Sequence, residues 1–471
     1  MSFSREIQRV LAALLLCLAA VALAAAYWAV AGGAALLGRD DNPRRVEVES
    51  RIVRGNLYDR SGTPIAGTEI SDSGVVTRTY PFPALNSAIG YSSLRYGTGG
   101  IESAYDPLLR GDDSQARLRN SLLHTPIRGS DLQLTLDAEV QQALATALAG
   151  QHGAGVVLSV PDGEVLALVS LPDIDPALLD AEWDALRADP ANPFFNRALQ
   201  GRYQPGGEMQ SAVMIAALLA GQSLDSPSPD GAASVMLNGL ELTCAANPPQ
   251  NLLTLQDAYA FACPAPFDAL AQSLGESRLQ PVLAPLNALN AVELLPATTT
   301  SAPTIAPATT PGADYRALAL GQSNLTFSPL AMALFTAAIV NDGNAPQPYL
   351  LSAVRAPGQD WADIHSARPP IPITTANTAR RLQDLMRYAV TNGAAQDAAR
   401  AGVDIGGHAA LGLSGSSAHA WFTGFATLAG REAVAVAIVL EDSRDTGLAA
   451  EIGGAALLAA HQAISASAAV P

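Results

Sequence analysis

Two apolar β-hairpin signals stand far apart in this 471-residue chain. Residues 153–170 read GAGVVLSVPDGEVLALVS, two apolar β runs around Pro161-Asp162-Gly163, a tripeptide suited to a tight turn. A second pair, His419–Thr427 and Glu432–Glu441, is joined by a turn containing Gly430, and an Ala-rich helix over about 449–466 follows it. Between the pairs the periodicity is helical, most clearly at Ser211–Ala220, Leu255–Leu274, Pro329–Val340 and Ala376–Val390. An opening hairpin, many helices, a closing hairpin and a last helix predict an α+β domain. Its antiparallel sheet joins the two ends of the domain and is flanked by helices.

The region before this domain reads differently. No charge occurs from Val10 to Gly38, and Leu11–Val30 is nearly all Ala, Leu and Val, enough to cross a hydrocarbon layer of about 30 Å. Arg5 and Arg9 precede the run, and Tyr27 and Trp28 fall where an interfacial aromatic belt belongs. A cleaved signal peptide is the alternative, although its apolar core usually spans only about 7–15 residues. Cys17 reads as filler within the run. Either way the basic flank stays inside and Arg39 onward lies outside the cytoplasm. The expected divisions are a cytoplasmic tail (1–9), a membrane anchor (10–38), a small β-rich N-terminal domain (39–128) and a large α+β domain (129–471). Arg39–Arg45 reads as a polar linker, and the low-complexity stretch 296–312 as a surface loop. Cys244 and Cys263 then share a compartment where a disulfide persists, but two buried thiols fit the sequence as well. Near Ser130, Asp137 is placed to cap a helix rich in Ala and Gln.

Charge excludes several functions. Lys+Arg total 27 against 43 Asp+Glu, a formal net charge of -16, so a nucleic-acid partner is not expected. All 27 basic residues are Arg: the chain contains no lysine. Schiff-base chemistry, a P-loop lysine and any Ser-Lys mechanism are therefore ruled out.

Seven segments, in order along the chain, resemble class B penicillin-binding proteins, the membrane-anchored transpeptidases that cross-link peptidoglycan. They are RGNLYDRSGTPIA (54–66), GTGGIESAYDPLLRG (97–111), LTLDAEVQQAL, VVLSVPDGEVLALVSLPDIDP, FFNRALQGRYQPG, LGQSNLTFSPLAMALFTAAIVNDG and AWFTGF. The resemblance implies a transpeptidase domain of the serine β-lactamase-like fold, a pedestal-like N-terminal domain and one transmembrane helix. It implies no metal or cofactor. It also implies membrane partners of the peptidoglycan synthesis and division machinery, of the glycan-polymerising type.

The family's mechanism uses a Ser-x-x-Lys pair, with both groups on one helical face. Here the corresponding run is PGGEMQ, so Gly207 stands at the nucleophile's place and Gln210 at the base's. Ser211 is the nearest hydroxyl, with Met214 where its Lys would be. The Ser-x-Asn motif corresponds to Ala262-Cys263-Pro264, and no His lies nearby in sequence to activate the Cys263 thiol. The Lys-Thr-Gly motif corresponds to Leu413, Ser414, Gly415 and Ser416. Leu413 removes a cation from the expected cleft, and Glu208 is expected to add an acid at its mouth. Loss of such a nucleophile costs on the order of 10⁶ in kcat.

No other chemistry replaces it. The six histidines (His124, His152, His365, His408, His419 and His461) show no metal-ligand spacing, and His419 reads as a hydrogen-bonded strand residue. Asp173, Asp175, Asp180 and Glu182 read as solvated charge. The expected function is a catalytically inactive, membrane-anchored homologue that scaffolds or regulates wall synthesis. The alternatives are an active D,D-transpeptidase or penicillin binder with an unrecognised nucleophile, or a non-covalent binder of wall stem peptide using Ser414 and Ser416.

Overall fold

A computed structural model describes residues 3–28, 52–71, 76–112, 128–228, 230–250, 252–295, 314–322, 325–430 and 432–468. The expected linker 39–45, the last part of the expected anchor and the stretch 296–312 lie outside the described residues.

Two large sheets carry the architecture. In chain order their strands are β1 (Leu57–Tyr58), β2 (Pro64–Ile70), β3 (Val76–Thr79), β4 (Asp131–Leu134), β5 (Gly153–Val160) and β6 (Val165–Leu171). Then follow β7 (Leu351–Arg355), β8 (Ala362–Asp363), β9 (Ile405–Ser414), β10 (Ser417–Thr427) and β11 (Ala433–Leu440). The longer helices are α1 (Phe3–Tyr27), α2 (Ala138–Ala147), α3 (Leu179–Ala188), α4 (Gln210–Leu219) and α5 (Pro264–Leu274). They continue with α6 (Glu276–Asn290), α7 (Pro329–Val340), α8 (Ala376–Asn392) and α9 (Thr446–Ala468).

The five-stranded sheet has the order β9-β10-β11-β5-β6, antiparallel throughout, so the early and late hairpins meet between β11 and β5. Ala433 pairs with Val160 and Leu440 with Gly153, which fixes the register across the whole contact. Alternate residues point to opposite faces. Val434, Val436, Ile438 and Leu440 lie in one core with residues of α2 and α9, whereas Ala435, Ala437 and Val439 lie in another with residues of α7. Burial on both faces explains why β11 is an unbroken apolar run. The ends of the elements follow their caps: Asp137 accepts from the N–H groups of Glu139 and Val140, and Ser328 accepts from that of Ala331 ahead of Pro329.

The six-stranded sheet has the order β8-β7-β4-β1-β2-β3. Here β1 runs parallel to β4, Leu57 opposite Leu132, and β7 is antiparallel to β4. Strands from both sides of residue 129 thus share one sheet, and the small N-terminal region is hydrogen-bonded into the large one.

The apolar part of α1, Ile7–Tyr27, is 21 residues long and exposed, a candidate membrane span by length and composition. Cys17 is exposed on it. Helix α9 passes the same test over Thr446–Ala466, but it packs on the five-stranded sheet as a core helix. The expected helix Leu255–Leu274 is two helices. The first ends at Ala260, Ala262 takes a left-handed φ of 49°, and α5 starts at Pro264, whose missing N–H suits a helix's first turn. Helix α6 was not expected because it contains Pro281 and Pro285; its buried Leu279, Val282, Leu283, Leu286 and Leu289 hold it against the core.

Candidate functional site

Pro205 leads into a single 3-10 turn, Gly206–Met209, that feeds directly into α4. Gly206 has a φ of +53°, and a Cβ there would stand 1.9 Å from the Leu411 carbonyl oxygen, so only glycine allows this turn to lie against β9. The Gly206 N–H donates to the Gly321 carbonyl at 3.1 Å. The turn presents Gly207 to a narrow cleft. A Cβ at Gly207 would lie 2.8 Å from Ala410 Cβ, 3.6 Å from Ala262 Cβ and 3.7 Å from Gln210 Nε2. The fold therefore brings together the positions that the first two motifs occupy, with side chains that neither attack nor titrate.

Gly207, Gln210, Ala262, Pro264 and Leu413 all line one cavity of about 30 Å³, room for about one or two waters. Gln210 Nε2 donates to the Cys263 carbonyl at 3.3 Å. Gln322, with its amide oriented to satisfy both contacts, donates to the Leu413 carbonyl at 2.9 Å and accepts from the Leu413 N–H at 3.2 Å. That edge of β9 is thus already hydrogen-bonded from within. Ser414, Gly415 and Ser416 stand apart: they form the exposed end of the β9–β10 hairpin and do not line the cavity.

Glu208 is not at the cleft mouth, as its place in the sequence suggested. It is 1% exposed and lies on the opposite side of the turn from the cavity, under β9 and β10. In so tight a turn, pointing residue 207 at the cleft turns residue 208 into the core. Its Oε2 accepts from the Thr423 hydroxyl at 2.7 Å and lies 3.4 Å from His408 Nδ1. The His408 Nε2 contacts the Tyr259 carbonyl at 3.0 Å. A carbonyl only accepts, so Nε2 carries a hydrogen, while Nδ1 lies beside the Glu208 carboxyl without a hydrogen-bond partner among the described residues. The Tyr259 hydroxyl bonds Ser211 Oγ at 2.8 Å, and burial pushes that phenol above its ordinary range. Ser211, the hydroxyl nearest Gly207 in sequence, is thus tied into a buried network and not offered to the cleft.

Cys244 and Cys263 form a disulfide, with Cα atoms 4.0 Å apart. It ties the end of the short hairpin Val235–Leu242 to the middle residue of the second motif. Three residues that sequence reasoning missed, Glu241, Thr243 and Arg444, also line the cavity. Arg444 supplies a cation on the wall where Leu413 has none; it follows β11, and nothing in its local sequence signals the cleft.

The other residues singled out from the sequence lie elsewhere. His419 sits half-buried on β10 with its ring 5.3 Å from that of Tyr203, and its Nδ1 has no hydrogen-bond partner among the described residues. The expected hydrogen bond is therefore not seen at Nδ1; burial pushes the His419 pKa down, against the pull of Asp442 and Glu441. Asp180 and Glu182 occupy the first turn of α3, where acids favour the helix dipole. Asp173 is less solvated than expected, and burial pushes its carboxyl up to about 6.

This architecture, an end-joined antiparallel sheet with a turn and helix beside its outer strand, is that of serine acyl-transferases of the penicillin-binding type. The model of the penicillin-binding protein transpeptidase domain matches residues 153–458, and that of the penicillin-binding protein A dimerisation domain matches residues 54–131. The peptidoglycan D,D-transpeptidase PbpA of Mycolicibacterium smegmatis is 32% identical over 428 residues, covering 81% of this chain and 84% of that protein. PbpA of Mycobacterium tuberculosis is 30% identical over 463 residues, covering 88% and 91%. The imipenem acyl-enzyme of penicillin-binding protein A from M. tuberculosis superposes with a TM-score of 0.75 at 28% identity, covering 88% of this chain and 99% of that one. A D,D-transpeptidase domain from Eggerthella lenta also gives 0.75, at 25% identity, covering 88% and 100%. The chain belongs to the penicillin-binding protein transpeptidase family.

Proposed function

We propose that this chain is a catalytically silent penicillin-binding-protein homologue, anchored in the cytoplasmic membrane with its bulk outside, that scaffolds or regulates peptidoglycan synthesis or division. The observation that carries the reading is the convergence of Gly207, Gln210 and Ala262 on one cavity of about 30 Å³. The positions meet, but the nucleophile, base and relay are absent, and no lysine exists elsewhere to substitute. Arg5 and Arg9 before the apolar run support an N-terminus inside. The partner is a membrane protein of the glycan-polymerising type, contacted through α1 and the small N-terminal region.

Thr243 favours a second reading. Thr243 and Glu241 line the same cavity, so an acylation by an unrecognised nucleophile would fall there. The test is intact mass after incubating the detergent-solubilised full chain with labelled penicillin. An unshifted mass supports the silent reading; one stoichiometric adduct, mapped to Thr243, replaces it with the second. For the partner, α1 is exchanged for an unrelated membrane span. Deleting residues 1–128 would be a poorer choice, since it removes three strands of the shared sheet. Unchanged co-purification after the exchange would count against contact through α1.

A further inference from the structure

A groove of about 660 Å³ opens where the end of α6 meets the segment leading into β7 and the stretch that follows β8. Tyr105 of the small N-terminal region also lines it, so both regions contribute, and none of the catalytic-motif positions does. Its volume falls within the range of about 300–1,000 Å³ common to sites for small ligands. Val292, Leu294 and Leu295 form one apolar wall, and Leu350 and Ile364 face the same space. Ile364 is 49% exposed there. The wall is steadied at Tyr349, whose ring stacks on that of His365 at 3.5 Å and whose hydroxyl donates to Glu164 Oε1 at 3.3 Å. Two charged side chains line the groove among the described residues, and they have opposite signs. Glu293 is exposed and stands just past the C-terminal end of α6, whose last turn carries no basic residue. The negative end of the helix dipole therefore adds to its charge. Arg368 is exposed too, and its Nη2 donates to the Pro348 carbonyl at 3.1 Å. Neither Glu293 nor Arg368 has an ion-pair partner among the described residues, each other included.

We propose that this groove binds a short peptide with both ends free, its ammonium at Glu293 and the α6 C-terminus and its carboxylate at Arg368. Charge complementarity selects the ligand. A purely cationic ligand would be repelled at Arg368 and a purely anionic one at Glu293, so a zwitterion alone is attracted at both. The donors fit: apart from the bond to Pro348, the Arg368 N–H groups have no acceptor among the described residues, and a carboxylate accepts from a guanidinium edge at two points. Size and polarity exclude a single amino acid, which would leave most of the groove and its apolar walls to water. A peptide of about three residues sets apolar side chains against Val292, Leu294 and Ile364 while its ends reach the two charges. The proposal is independent of whether the transpeptidase cleft is silent.

The test titrates the tripeptide leucyl-alanyl-leucine, its N-acetyl form and its C-terminal amide into the detergent-solubilised full chain at constant low ionic strength, followed by saturation-transfer NMR. Saturable binding of the free tripeptide is expected, about threefold to fivefold tighter than that of either capped form. Glu293→Gln should remove the preference over the acetylated peptide and keep the preference over the amide; Arg368→Gln should do the reverse. Both side chains are exposed, so both variants should fold. No saturation up to about 20 mM, equal affinity for the three peptides, or preferences that survive both variants would each overturn the proposal. Saturation that appears only once residues 296–312 are deleted would give the groove to that segment of the chain and overturn it as well.

Discussion

The cavity beside Gly207 and the layer directly beneath it have been treated in opposite ways. Above, the motif positions hold Gly207, Gln210, Ala262 and Leu413, none of which titrates, and the charged groups on the cavity wall, Glu241 and Arg444, come from elsewhere in the chain. Beneath, one residue further along the same turn, Glu208 meets Thr423 and His408 in a dry polar network that continues to Tyr259 and Ser211. A catalytic side chain contributes to a reaction and can be lost with little cost to the fold. A buried carboxylate opposite a histidine cannot, because removing either partner strands the other away from water. The contrast separates a buried layer that maintains this architecture from the cavity lining above it.

The largest expected effect lies in the lower layer. Glu208→Ala leaves the Thr423 hydroxyl without its acceptor and takes the buried carboxyl away from His408, and should cost about 3–5 kcal/mol. Urea unfolding measures it, and a loss below about 1 kcal/mol would remove the contrast, since the network would then be as dispensable as the motifs. Next comes Gly207→Ser. Its Cβ would begin 2.8 Å from Ala410 Cβ, so β9 must give way. A loss of about 1–3 kcal/mol is expected, with no penicillin adduct by intact mass. A variant that is fully stable and acylates would mean the cleft had kept its working geometry after all.

The smallest effect is at the protein's surface. Asp404 accepts from Arg387 Nη2 at 2.9 Å and from the Thr427 hydroxyl at 2.7 Å, and the Arg387 hydrogen bonds hold its carboxyl below the ordinary range. Both side chains of the ion pair are substantially exposed, so Asp404→Asn should cost less than about 1 kcal/mol at neutral pH. With a depressed folded-state pKa, that stability is present above the usual carboxylate range and disappears as pH falls through the folded value. Unfolding of both proteins from pH 7 down to pH 2 checks the sign: the two curves should converge in acid. A difference that widened on acidification would mean Asp404 acts through packing and not through its charge.

Much of this fold was legible from sequence because its signals are local. Pro161-Asp162-Gly163 marks a turn, the Val, Ile and Ala run of β11 marks a strand buried on both faces, and Asp137 marks a helix start. Helix α6 was hidden for an equally local reason: Pro281 and Pro285 argue against the helix that its buried leucines impose. At the site, Arg444 and Thr243 could not be found from sequence, since they reach the cavity from distant loops, one of them tethered through the Cys244–Cys263 disulfide.

By itself the sequence determined what is missing. A glycine cannot be acylated, a glutamine amide does not titrate, and a chain without lysine has none to offer in any conformation. Those statements depend on covalent chemistry alone. Only the tertiary structure decided orientation: that β1–β3 join β4 and β7 in one sheet, that Ser414–Ser416 end a hairpin outside the cavity, and that Glu208 lies in the core. Orientation is set by which faces pack together, and for Glu208 that depends on β9 and β10, some two hundred residues away in the chain but 2.7 Å away at Thr423.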